Sequence, residues 1–117
     1  MKKVYHLSSC NTCQKILKEL NLPASFETQD IKEEEITKEQ LEEMEALAGS
    51  YEALFSRRAR LYRERELNKK ELSEAEYKEL ILDHYTFLKR PVIINNDEIF
   101  IGNSKKTVAA AKAAVHG

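Results

Sequence analysis

The clearest structural pattern in the sequence is PVIINNDEIFIG, residues 91–102. Two apolar runs flank the turn residues Asn95, Asn96 and Asp97, an arrangement typical of a β-hairpin. Ser104 then begins an alanine-rich stretch that extends to Val115 and has a high helix propensity. The C-terminal part of the chain is therefore predicted to be β-β-α.

The N-terminal part is predicted to be β-α-β. A β-type run at residues 3–7 is interrupted by Ser8 and Ser9. Helical spacing follows in the apolar residues Cys13, Ile16, Leu17 and Leu20. Pro23 ends that helix, and a weak strand pattern lies within residues 25–31.

Three helices are predicted between these two parts. Thr37 and Gln40 have the spacing of a capping box at the start of the first, and Gly49 is placed to end it. Ser50 is predicted to begin the second. The apolar face of that second helix comprises Tyr51, Leu54, Phe55, Leu61 and Tyr62.

The third of these helices is predicted to begin at a second capping box, formed by Ser73 and Glu76. Its apolar face comprises Tyr77, Leu80, Ile81, His84 and Leu88. It is predicted to end before Arg90 and Pro91, because the residue before a proline disfavours helical backbone.

This order of elements predicts an α/β fold with one mixed four-stranded sheet. A parallel βαβ half and an antiparallel hairpin half can share such a sheet. A doubly wound sheet is excluded, since βα units do not alternate throughout the chain. We expect a single domain, residues 1–117, with a helical insertion at about residues 36–89.

The composition is that of a folded domain, with 42% hydrophobic and 33% charged residues among 117. A net charge of −1 does not favour direct binding to nucleic acid or to an anionic membrane. No apolar run approaches the roughly 20 residues that span a bilayer, and the N-terminus lacks the core of a signal peptide. We therefore expect a cytoplasmic protein and, without heptad repeats, a monomer.

The two cysteines of the chain, Cys10 and Cys13, lie where the first strand passes into the first helix. Backbone N–H groups and the dipole at a helix N-terminus can lower a cysteine pKa from ~8.5 to about 3.5–7.5. Cys10 is therefore predicted to be a nucleophile and the pair to be redox-active. In two alternatives, Cys13 packs as a small apolar residue, or His6, Cys10 and Cys13 bind a metal for which no fourth ligand is evident.

Three segments of the chain resemble the arsenate reductase/Spx family, a branch of the thioredoxin-like fold that includes small proteins called YffB. They are CNTCQK at residues 10–15, GSYEALFSR at residues 49–57 and LKRPVII at residues 88–94. The last leads into the hairpin that ends Ile101-Gly102 and is the most specific. The resemblance covers nearly the whole chain and implies a thioredoxin-like fold.

The resemblance also implies an activity. In enzymes of this family the cysteine matching Cys10 attacks arsenate, and arginines matching Arg57 and Arg90 hold the oxyanion. Glutathione and glutaredoxin then complete the two-electron reduction, so glutathione is the expected co-substrate and no bound cofactor is expected. Guanidinium groups suit this task because they are always charged and can bind an oxyanion through two donors.

The remaining candidate substrate-binding residues are Asn11 and Thr12, between the cysteines, and Pro91. In thioredoxin-like folds the proline matching Pro91 is cis and lies beside the active cysteine. Only Arg57 in its arginine-rich segment matches the family position. The neighbouring Arg58, Arg60, Arg63 and Arg65 are interpreted as a solvated face with Glu64 and Glu66 as partners.

Two departures count against an arsenate reductase. The glutathione-dependent enzymes carry a third oxyanion-binding arginine after the hairpin, where this chain reads Ile101-Gly102-Asn103. They also need only one cysteine near the helix start, whereas the Cys-x-x-Cys pair is found in Spx. There the pair is a disulfide switch, and the protein binds the C-terminal domain of the RNA polymerase α subunit.

Two main hypotheses follow. The first is a thiol-dependent reductase in which Cys10 attacks an oxyanion or thiol substrate and Cys13 resolves the oxidised sulfur. The second is a Spx-like redox regulator that binds polymerase, and a thioredoxin-like domain with unreactive cysteines is a third reading. Of the other titratable residues, His84 is predicted to pack on its helix and His116 to belong to a frayed C-terminus.

Overall fold

A computed structural model, which describes residues 1–117, divides the chain into two compact units. The sheet unit comprises residues 1–35 and 90–117, and the helical unit comprises residues 36–89. The candidate nucleophile Cys10 and the candidate ligand Arg90 both belong to the sheet unit, whereas Arg57 belongs to the helical unit.

The sheet unit contains one four-stranded sheet with the order β2-β1-β3-β4. Its strands are β1 (Lys2–His6), β2 (Glu27–Asp30), β3 (Val92–Asn95) and β4 (Glu98–Ile101). β1 pairs in parallel with β2 and antiparallel with β3, and the hairpin of β3 and β4 is antiparallel. The predicted mixed α/β sheet is therefore confirmed, including the weak second strand.

Two helices, α1 (Asn11–Leu20) and α5 (Lys105–His116), pack on this sheet. Val4 at the centre of β1 is paired with Ile93 of β3, and both belong to the buried cluster beneath the helices. The other buried members of that cluster are Ile16, Leu20, Phe26, Val108 and Ala111. Because the helical periodicity of α1 buries its apolar face here, the N-terminus of α1 is held at the end of β1.

The helical unit begins with α2 (Lys38–Ala48), whose predicted limits are confirmed. The Thr37 hydroxyl accepts the N–H of Gln40, and the Gln40 side chain accepts the N–H of Thr37. Gly49 ends the helix in the left-handed region, at φ 95°, a conformation that costs glycine little.

The second predicted helix of this unit is wrong, because the segment is broken into short pieces. A 3-10 turn (Glu52–Leu54) is followed by α3 (Arg60–Glu64) and a second 3-10 turn (Leu67–Lys69). Phe55 leaves the helical region and pairs with Leu88 in an isolated antiparallel bridge. This long-range pairing is absent from the local pattern of apolar residues, so that pattern does not predict the break.

The third predicted helix, α4 (Glu74–Asp83), begins as predicted but ends earlier. His84 has extended backbone, and its Nδ1 accepts the Thr86 N–H at 3.0 Å, which begins a 3-10 turn at Tyr85–Phe87. The prediction that His84 and Leu88 continue the helical face is therefore wrong.

No helix in the structure has the length and apolar character required to cross a membrane.

The capping box of α4 provides a test of the helical unit. Ser73 accepts the Glu76 N–H at 3.2 Å, so we expect Ser73→Ala to lower the free energy of unfolding by about 1 kcal/mol. Ser73→Asp retains an oxygen acceptor and should remain close to the wild type. Chemical denaturation measures both, and equal losses in the two variants would contradict a capping role.

Candidate active site

Cys10 is the N-cap residue of α1, as the strand-to-helix pattern predicts. Its backbone N–H donates to the Leu7 carbonyl at 3.0 Å, and its carbonyl accepts the Gln14 N–H at 3.1 Å. The turn from Leu7 to Cys10 thus passes directly from the end of β1 into the helix. The first turn of α1 contains no acidic residue, so no carboxylate of the helix itself opposes an anion at its N-terminus.

Cys13 lies one turn inside α1 with its side chain 1% exposed, whereas Cys10 is partly exposed. Both residues are free thiols. Burial, and to a smaller extent the neighbouring Cys10, raise the pKa of Cys13 to about 11. Cys13 is therefore a protonated thiol near neutral pH, and its sulfur is also part of the packed face of the helix.

Opposing effects act on the pKa of Cys10, and the net change is downward from that of an ordinary thiol. Partial burial raises the pKa. The backbone N–H and the thiol of Cys13, followed by the positive charge of Arg90, lower it by more.

Arg90 lies two residues before the start of β3, and its Nε atom is buried. Its positive charge lowers the pKa of both cysteines, which places the guanidinium near the thiol pair. The Arg90–Pro91 peptide bond is cis, as the family resemblance predicts. Pro91 is buried, and its carbonyl accepts the Gly102 N–H at 3.0 Å, which ties this segment to the end of the hairpin.

Two residues that sequence reasoning missed hold the turn before Cys10. The Gln14 amide nitrogen lies 3.1 Å from the Leu7 carbonyl oxygen and 3.2 Å from His6 Nδ1. Asp30, at the end of β2, accepts the Ser8 N–H at 3.3 Å. The hydrogen bonds to Ser8, with a smaller contribution from His6, lower the pKa of Asp30. Gln14 lies in the CNTCQK segment, and Asp30 ends β2. Local sequence patterns do not predict either contact, because both depend on how the helix and β2 pack.

Asn11 and Thr12 occupy the first turn of α1 with exposed side chains. Their predicted part in substrate binding stays a prediction. His6 ends β1 beside Gln14, and no group of three His, Cys, Asp or Glu side chains is arranged to hold a metal ion. The alternative site of His6, Cys10 and Cys13 therefore has no support in the geometry.

Arg57 makes its contacts within the helical unit. Its Nη2 atom donates to Glu52 at 2.7 Å and to the Tyr77 hydroxyl at 2.9 Å, and its guanidinium lies 5.7 Å from the centre of the Tyr77 ring. The hydrogen bond to Glu52 is the largest cause that raises the pKa of Arg57. The predicted role of Arg57 as an oxyanion ligand stays a prediction.

The predicted partners of the arginine-rich segment are wrong. Arg65 pairs with Asp83 at 2.9 Å and lies over the Phe87 ring, and Glu66 pairs with Lys69 at 3.0 Å. The prediction for His116 is also wrong, because it is the last residue of α5 and its Nε2 bonds to the Leu20 carbonyl. The contacts of Arg65 with Asp83 and of His116 with Leu20 join residues that are distant in sequence, so local charge patterns do not predict them.

Removing the Arg90 charge should make Cys10 less reactive. We expect Arg90→Met to raise the Cys10 pKa and to slow its alkylation at pH 7 by several-fold. Arg90→Lys should recover part of the rate. Lys89→Met, which removes a neighbouring exposed cation, is the matched control. An unchanged rate in Arg90→Met, with the fold intact by circular dichroism, would exclude this electrostatic role.

A mixed four-stranded sheet, a Cys-x-x-Cys pair at the N-terminus of its first helix and a cis-proline before its third strand define the thioredoxin-like class. A family model for the ArsC family matches residues 5–111. The chain therefore belongs to the ArsC family.

Solved structures agree with this assignment. A YffB protein is 27% identical, with a TM-score of 0.76, over 95% of this chain and 98% of its own. SACOL0876 from Staphylococcus aureus is 29% identical, with a TM-score of 0.71, over 94% and 97%. Arsenate reductase from Vibrio cholerae shares the fold at 21% identity, with a TM-score of 0.76, over 94% and 98%. No curated protein sequence matches the chain.

Proposed function

We propose that this protein is a thiol-dependent oxidoreductase of the arsenate reductase type, in which Cys10 is the nucleophile and Cys13 the resolving thiol. The observation that carries the proposal is the difference between the two cysteines. Cys10 caps α1 with a lowered pKa, whereas the pKa of the buried Cys13 is about 11. Membership of the ArsC family supports the same class of chemistry.

In the first step, the Cys10 thiolate attacks an electrophilic atom of the substrate. With a disulfide, a Cys10–sulfur bond forms and the other sulfur leaves as a thiolate with the bonding electron pair. With arsenate, a sulfur–arsenic bond forms and an arsenate oxygen leaves as water after protonation. The positive charge of Arg90 favours the thiolate and would also stabilise an anionic substrate.

In the second step, the Cys13 sulfur attacks the Cys10 sulfur, and the substrate leaves with the electron pair of the bond that breaks. Two thiols become one disulfide, and the substrate gains two electrons, which in arsenate converts As(V) to As(III). The Cys10 thiolate is one cause of the raised pKa of Cys13. Once Cys10 is covalently bonded this negative charge is gone, so the pKa of Cys13 falls when it has to ionise.

An external thiol must then reduce the Cys10–Cys13 disulfide. We propose glutathione or glutaredoxin for this step, from the family resemblance, and a cytoplasmic location where these reductants are abundant. Arg57 enters the proposal from the same resemblance, as a second cation for an oxyanion. Its ion pair with Glu52 and the lack of an arginine at residues 101–103 favour a disulfide substrate over arsenate.

The experiment supplies the reduced protein separately with glutathione disulfide and with arsenate plus glutathione, and follows both cysteines by mass spectrometry. We expect a Cys10 adduct first and a Cys10–Cys13 disulfide next, with regeneration by excess glutathione and glutaredoxin. Cys13→Ser should accumulate the Cys10 adduct.

Absence of any Cys10 adduct would contradict the proposal. A different pair of results would instead support the Spx-like regulator. In that case the Cys10–Cys13 disulfide forms without multiple turnover, and only the oxidised protein binds the RNA polymerase α subunit.

A further inference from the structure

We propose that Gln14 is a positioning residue for the thiol pair, because its side-chain amide fixes both the Leu7 carbonyl and the His6 imidazole and so holds the turn that carries Cys10. The inference rests on the proposed function for its catalytic consequence. The contacts themselves are 3.1 Å to the Leu7 oxygen and 3.2 Å to His6 Nδ1, both from Gln14 Nε2.

These contacts determine which way the amide faces and where the imidazole carries its proton. The Leu7 carbonyl can only accept, so the amide nitrogen of Gln14 must face it. That nitrogen has two hydrogens, and the second points to His6 Nδ1. Nδ1 must then be an acceptor, and neutral His6 carries its proton on Nε2.

Gln14 also contacts both ends of the turn before the helix. Its side chain bonds to Leu7, and its backbone N–H donates to the Cys10 carbonyl at 3.1 Å. The Leu7 oxygen accepts a further hydrogen bond from the Cys10 N–H at 3.0 Å, so both of its lone pairs are used. One residue of α1 thereby closes the loop on which Cys10 is carried.

The consequence for reactivity follows from distance. The Cys13 N–H and the Arg90 charge favour the Cys10 thiolate only while the sulfur is held close to them. A turn released from Gln14 samples more positions, and the average interaction with both groups weakens. Loss of the Gln14 amide should therefore raise the pKa of Cys10, in addition to any general loss of stability.

The test uses the full-length chain and two readouts. In the wild type, ¹⁵N NMR of the assigned His6 ring at pH 8 should show an unprotonated Nδ1 and a protonated Nε2. In Gln14→Met, which has a similar length and no donor, the ring should lose this fixed tautomer. The midpoint of the pH profile for Cys10 alkylation should rise by about half a unit or more.

Lys18→Met, an exposed change one turn further along α1, should leave both readouts at their wild-type values. Gln14→Leu, which also lacks a donor and adds no charge, replaces the methionine variant if that variant does not fold. An Nδ1–H tautomer in the wild type, or an alkylation midpoint that Gln14→Met leaves unchanged, overturns the inference. Neither readout requires turnover, so an absence of reductase activity would count against the proposed function alone.

Discussion

Cys10→Ser should abolish turnover while leaving the fold intact. A serine hydroxyl is a far weaker nucleophile than a thiolate at neutral pH, and we expect the rate of substrate reduction to fall by at least about 10³-fold. The substitution replaces one sulfur atom by oxygen at the N-cap of α1. Steady-state reduction of arsenate, and of a small disulfide other than glutathione disulfide, with glutathione and glutaredoxin in excess, measures the loss.

The stability of this variant separates chemistry from folding. Serine is among the preferred N-cap residues, and its hydroxyl is well placed to accept an N–H of the first turn. Cys10→Ser should therefore unfold at the same or a slightly higher denaturant concentration than the wild type. A control without this protein measures the reduction that glutathione and glutaredoxin carry out alone, and this background is subtracted. Residual activity that is then within tenfold of the wild type would exclude Cys10 as the nucleophile.

Phe55→Ala should have the largest effect on stability. Phe55 is fully buried, and its ring packs on Tyr77, Phe87 and Tyr62 with centroid distances of 4.9, 5.4 and 5.9 Å. Truncation removes these contacts and leaves a cavity, so we expect the free energy of unfolding to fall by about 3–5 kcal/mol. Urea denaturation followed by circular dichroism measures this loss.

Two variants calibrate the effect of Phe55. Phe55→Leu retains most of the apolar volume and should cost less than half as much as Phe55→Ala. Leu82→Ala truncates a side chain that is 36% exposed and should change the free energy of unfolding by less than about 1 kcal/mol. Equal losses for Phe55→Ala and Leu82→Ala would mean that the aromatic cluster does not stabilise the helical unit.

The parts of the fold that the sequence predicted are those encoded by local contacts. The hairpin at residues 91–102, the capping boxes of Thr37 and Ser73, and the amphipathic face of α1 all depend on residues within a few positions of one another. The segment from Ser50 to Leu88 was predicted less well. Its helices are broken by the pairing of Phe55 with Leu88 and by the Glu74 carboxylate, which accepts the N–H groups of Tyr51 and Glu52.

The same distinction applies to the candidate site. Cys10 and Cys13 could be placed from the sequence because a strand-to-helix junction has a local signature, and Arg90 and Pro91 could be placed because the family motif includes them. Gln14 could not, since its importance depends on an amide that folds back to the end of β1. Although Gln14 lies in the CNTCQK segment, the motif does not reveal this supporting role, which depends on tertiary packing.

Charge distribution explains why two neighbouring cysteines can have different roles. Cys10 is partly exposed and is surrounded by an N–H group, a thiol and a guanidinium that favour its thiolate. Cys13 is buried beside the anion that Cys10 becomes, and this keeps it protonated. Because the two pKa values move apart, they support the proposed order of events, in which Cys10 reacts first and Cys13 follows once the negative charge has been removed.

The most direct test of the account is the pH dependence of alkylation at each cysteine of the reduced wild-type protein, resolved by mass spectrometry. We predict that Cys10 reacts first, with a midpoint clearly below about 8.5, and that Cys13 is modified only at much higher pH. A Cys10 midpoint at or above that of an ordinary thiol, or faster modification of Cys13 than of Cys10, would contradict the assignment of Cys10 as the activated nucleophile.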